Sequence, residues 1–89
     1  MCHLALYGEV VLPPSVDRST FKAIIRILRI LGPDAAAIEG HVLKLGFDGE
    51  LSDSDFASIK AALETIKPES PCTVSMRLED ESVAFTLHP

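Results

Sequence analysis

Twice along this 89-residue chain the apolar repeat switches from period two to the helical period and back, and proline marks three of the four switches. Alternating side chains make half-buried strands and a 3.6-residue repeat makes amphipathic helices, so the chain is constrained to a mixed α/β layer arrangement. Residues 3–12 place Leu4, Leu6, Val10 and Leu12 on one side, with Gly8 reading as a bulge, before Pro13-Pro14 stops the strand. A helix capped by Ser15 or Asp17 follows; it runs to Leu31 and ends at Gly32-Pro33.

The pattern then repeats with an extra hairpin. Residues 34–39 read as a short edge strand, although their alanines also favour helix, and Glu39-Gly40 reads as a hairpin turn into a third strand over Val42 to Phe47. Ser52 followed by Asp55 resembles a capping box, and Asp53 and Asp55 suit the positive end of a helix that runs to Lys67 before Pro68. Val74, Met76 and Leu78 alternate on a fourth strand. Beyond a turn at Asp80-Glu81, Val83, Phe85 and Leu87 alternate on a fifth.

The order βαββαββ over residues 1–89 is one α+β domain, since a chain of this length supports a single hydrophobic core. It resembles a two-layer split βαβ sandwich of ferredoxin-like topology with an additional C-terminal strand. Two helices would lie on one face of an antiparallel sheet, and right-handed crossovers imply the sheet order 2-3-1-4-5. A shift of 35 residues superimposes Phe21 on Phe56, Ile24 on Ile59, Leu28 on Leu63 and Pro33 on Pro68, which two related βα units or two unrelated amphipathic helices both produce. The resemblance is one of topology only and implies no activity. The glycine and arginine loop of acylphosphatases, the Cys-x-x-Cys of heavy-metal chaperones and the paired aromatic signatures of RRM domains are all missing.

Composition narrows the function classes. No apolar run approaches the roughly 20 residues that span a bilayer, and the first residues lack the basic region of a signal peptide, so a cytoplasmic protein with no membrane partner is expected. Cys2 and Cys72 are then expected to be reduced thiols. The net charge of −5 opposes direct nucleic-acid binding, which depends on cations releasing phosphate counterions. That charge is uneven: residues 15–31 hold Arg18, Lys22, Arg26 and Arg29 against Asp17 alone, which leaves −8 on the remainder.

Chemical constellations are weak. His3, His41, His88 and the two cysteines would not converge in the expected sheet, so no metal and no other cofactor is expected. Asp48, Glu50, Asp53 and Asp55 cluster near the second helix but lack the calcium-loop spacing, and they read as a solvated cap. No nucleophile elbow or phosphate-cradling glycine loop is present, and a noncatalytic protein is expected, with no catalytic residues to name.

The first helix stands out. Phe21, Ala23, Ile24, Ile25, Ile27, Leu28, Ile30 and Leu31 spread over roughly 220° of its circumference, about twice what a surface helix uses to reach its core. Either the flank packs against the second helix, or it meets another chain; a basic strip holding an anion is a third option. The second option nominates Arg18, Lys22, Ala23, Arg26, Ile27, Arg29 and Ile30 as partner-binding residues. On the free face of the sheet, Tyr7, Arg77, Thr86 and His88 form a second candidate surface, and the fifth strand is an uncharged edge open to strand addition.

The expected function is therefore a protein-binding module: a small acidic inhibitor, adaptor or regulatory protein, of the kind found among antitoxins, immunity proteins and anti-defence proteins. It is expected to self-associate, and the −8 remainder points to a larger basic partner that handles nucleic acid. The alternative is a small-molecule regulatory domain similar to amino-acid-binding modules of this topology, with ligand at a dimer interface, although Pro13-Pro14 stands where such modules carry a glycine loop.

Overall fold

The computed structural model describes residues 1–89, and its elements follow the expected order: β1 (Cys2–Val11), α1 (Arg18–Leu31), β2 (Ala36–Glu39), β3 (Val42–Leu51), α2 (Asp53–Thr65), β4 (Cys72–Leu78) and β5 (Glu81–Leu87). The strands form one antiparallel sheet in the order β2-β3-β1-β4-β5, which fits a ferredoxin-like sandwich. The helices pack against each other and share with the sheet one core of 19 buried residues.

Alternation builds the inner face. Leu4, Leu6 and Val10 of β1, Leu43 and Leu45 of β3, and Val74 and Met76 of β4 are buried beneath Ile24, Ile27 and Leu31 of α1 and Ile59 and Leu63 of α2. Each such side chain contributes about 1.5–3 kcal/mol when fully removed from water. Capping fixes where the helices begin. The Asp17 carboxylate accepts the Thr20 N–H at 2.7 Å, and Ser52 Oγ accepts the Asp55 N–H at 3.1 Å. Gly32, at φ +86°, turns the chain out of α1.

The structure corrects several boundaries. Gly8 is no bulge in the β1–β3 ladder, which runs in unbroken register from Cys2–Leu51 to Val11–Val42. Its φ of +154° and the close approach of Val74, whose Cγ1 would lie 2.9 Å from an added Cβ, account for the glycine, and the β1–β4 ladder stops at Tyr7 beside it. The first hairpin turns at Gly40-His41, not Glu39-Gly40, because Glu39 pairs with Val42 and Gly40 takes the positive φ. Likewise the last hairpin turns at Glu79-Asp80, with Leu78 paired to Glu81.

β3 runs past Phe47 to Leu51, since Asp48 and Glu50 are strand residues paired with Ala5 and His3 and not part of a helix cap. α2 ends at Thr65, two residues early. Ile66 becomes extended (φ −67°, ψ 129°) and is buried, and Lys67, which precedes Pro68, is disfavoured as helix.

Candidate protein-binding surface

α1 presents two different sides. Its inner side is committed to the molecule: Ala23 and Ile27 are 6% and 0% exposed, and Ala23 shares the cleft between the helices with Ala61 and Ala62 of α2. Both are withdrawn from the partner-binding set, because the flank expected to exceed the core is instead covered where the two helices meet over small side chains. Ile30 is half-buried and packs partly against the core.

The outer side keeps a different apolar group. Phe21 is 55% exposed although it belongs to a helix with a full core face, and Ile25 beside it is only partly buried. On one flank of this pair lies a depression of about 500 Å³ lined by Lys22, Arg26, Arg29 and Ile30. On the other lies an apolar cleft of about 240 Å³ walled by Pro13, Pro14, Val16, Leu28 and Ile38. Phe21 and Ile25 form the ridge common to both.

The sequence had placed Phe21 and Ile25 in the apolar arc but not in the site. At 100° per residue both lie at one edge of that arc, up to 160° from Ile27, but the arc alone does not say which edge the rest of the molecule covers. The role of Pro13-Pro14 as a wall was equally hidden, because it depends on where the loop folds back.

Electrostatics sharpens this surface. The chain's ion pairs are Met1 N-terminus with Asp53, His3 with Asp48, Lys44 with Glu39 and Lys67 with Asp17. None involves Arg18, Lys22, Arg26 or Arg29. Arg18 stands apart at the first turn of α1, outside the depression that gathers Lys22, Arg26 and Arg29.

The second candidate surface is gathered only in part. Tyr7 and Arg77 line one shallow polar depression of about 540 Å³ on the free face of the sheet, together with Ser75 and the His3–Asp48 pair. Thr86 shares that face opposite Thr73, and His88 lies beyond the end of β5; neither lines the depression. Glu79 and Asp80 close it at the hairpin, leaving Arg77 in mixed surroundings and without an ion pair.

Other groups are dispersed. Cys2 lies at the Leu51 end of β1 and Cys72 at the Leu87 end of β4, roughly 25 Å of strand apart, and both are free thiols. Partial burial pushes the Cys72 thiol up. No three residues among His, Cys, Asp and Glu converge in a metal-binding geometry. No helix is long and apolar enough to cross a membrane. Compared with family models, curated proteins and solved structures, the chain matches none, so the functional reading rests on this surface alone.

Proposed function

We propose that this chain, a ferredoxin-like sandwich with an added C-terminal strand, is a noncatalytic protein-binding module that docks its partner on the outer side of α1. One observation carries the reading: the exposed ridge of Phe21 and Ile25 lies between an apolar cleft and three cations that no acid of the chain pairs. Exposed apolar area rimmed by charge is the pattern of interaction sites, and aromatic and arginine side chains dominate their energetics. The matching ligand is an amphipathic segment with an apolar anchor for the cleft and carboxylates opposite Lys22, Arg26 and Arg29.

The charge of α1 revises the partner's local chemistry. Net charge favoured a basic partner, but the docking face is itself cationic, so the acidic remainder acts at longer range as a steering field and not as the contact. Small inhibitors, adaptors and regulators, including antitoxin, immunity and anti-defence types, fit this arrangement.

The test is an NMR titration with a synthetic acidic amphipathic peptide, alongside an oligonucleotide and inorganic phosphate. The peptide is expected to shift Phe21, Ile25 and Arg26 with an affinity that weakens as salt rises, and Phe21→Ala is expected to weaken it about tenfold or more. Equal response to phosphate or oligonucleotide would replace the protein-binding reading with an anion-binding one. A partner captured from the host that survives both Phe21→Ala and Arg26→Glu would overturn it. The apolar cleft also favours a second reading, a small-molecule regulatory site. At about 240 Å³ the cleft is smaller than the roughly 300 Å³ at which ligand pockets usually begin, and a thermal-shift screen of metabolites tests it.

A further inference from the structure

We propose that β5 pairs with β5 of a second copy of this chain, antiparallel across a two-fold axis at Ala84, joining the two sheets into one. This interface is separate from α1 and stands or falls without it.

The two edges of the sheet are treated differently. β2 is four residues long, follows Pro33 closely and carries Glu39 in an ion pair with Lys44, which are ordinary protections of an edge. β5 is longer and guarded only at its ends, by Glu81 at the start and Pro89 two residues past Leu87. It runs seven residues in unbroken register with β4, holds no proline or lysine, and is uncharged from Ser82 to Leu87. Its helix-side residues are also incompletely covered: Val83 is 51% exposed and Phe85 only partly buried, although their partners Met76 and Val74 are buried.

Backbone parity decides which groups are free. The Glu79 N–H donates to the His3 carbonyl at 2.9 Å, so Glu79 is oriented toward β1. Hydrogen bonding alternates along an antiparallel strand, so Leu78, Met76, Val74 and Cys72 turn toward β5. Their partners Glu81, Val83, Phe85 and Leu87 are thereby used. The N–H and C=O groups of Ser82, Ala84 and Thr86 point outward with no strand to meet.

These three residues complement themselves. With the axis at Ala84, Ala84 faces its own copy and Ser82 faces Thr86, so every outward group finds a partner. Val83 then faces Phe85 on the helix side, where each shields the other's exposed apolar surface. Asp80 falls opposite His88, so no like charges oppose each other. Moving the axis to Ser82 would set Asp80 against Ala84 and Glu79 against Phe85, and moving it to Thr86 would leave much of β5 unpaired. The Ala84 axis alone places the whole strand in the ladder.

The experiment is sedimentation velocity over a concentration series on the wild type, Ala84→Pro and Ala84→Lys, with amide hydrogen exchange on the wild type. Proline at 84 removes an outward N–H that β4 does not use, and lysine at 84 sets two like charges face to face on the axis. The wild type is expected to dimerise, both variants to remain folded monomers by circular dichroism, and the Ser82, Ala84 and Thr86 amides to become protected as concentration rises. If one variant fails to fold, the other and the exchange pattern still decide. A wild type that stays monomeric throughout overturns the proposal. So does a dimer that survives these substitutions, or one that Phe21→Ala dissolves, which would place the contact on α1.

Discussion

The hydroxyl of Thr20, buried in the first turn of α1, accepts the backbone N–H of Lys67 at 3.3 Å, tying the start of one helix to the chain just beyond the end of the other. The side chain of Lys67 meets Asp17, the cap of the same turn, at 3.3 Å, and the Glu69 N–H donates to the Val11 carbonyl nearby. The three contacts hold the segment after α2 against the loop that leads into α1. Thr20→Val keeps the volume but removes the acceptor and is expected to cost about 1 kcal/mol, whereas Thr20→Ser keeps the bond. Urea unfolding at neutral pH measures both.

Asp17 gives the acid response a defined sign. The Thr20 N–H bond, followed by the nearby Lys67 ammonium, holds its carboxyl below the ordinary value of 3.8. A carboxyl with a depressed folded-state pKa stabilises the fold fully above its unfolded pKa and loses that contribution as pH falls through the folded one. Asp17→Asn retains a good cap. Its stability is expected to match the wild type more closely near pH 3 than near pH 6, and parallel denaturation curves at the two pH values check this.

The two sides of α1 should respond oppositely to truncation. Ile27→Ala removes a fully buried side chain and is expected to cost about 2–5 kcal/mol. Phe21→Ala is expected to change stability by roughly 0.5 kcal/mol while weakening partner binding. Thermal unfolding distinguishes the pair; a large loss from Phe21→Ala would mean that the ridge belongs to the core.

Gly8→Ala tests the close approach of β1 and β4. The added methyl would meet the Val74 side chain at 2.9 Å at a backbone φ of +154°, so a cost of about 1–3 kcal/mol is expected. Adding Val74→Ala removes the Cγ1 contact but leaves the Cβ and Cα of residue 74 at 3.1 and 3.2 Å, so it should recover only part of the loss. Comparing the double variant with Val74→Ala alone measures what remains, the backbone strain together with this close approach.

Local chemistry by itself determined most of the architecture. Proline and capping residues bounded both helices to within two residues, and alternation assigned four of the five strands, while β2 followed only from the turn beside it, because these signals act over a few neighbouring residues. Even the sheet order followed from element order and crossover handedness. The 35-residue shift, which sets Arg18 against Asp53, reproduces the first residues of both helices. What only the tertiary structure decided was which apolar side chains are covered. The helical repeat puts Phe21, Ile24, Ile25 and Ile27 in one continuous apolar arc without saying which edge is covered, and the approach of α2 over Ala23 and Ala62 buried Ile27 while leaving Phe21 in water. Coverage depends on contacts between residues distant in sequence, and so does the absence of acidic partners for Lys22, Arg26 and Arg29.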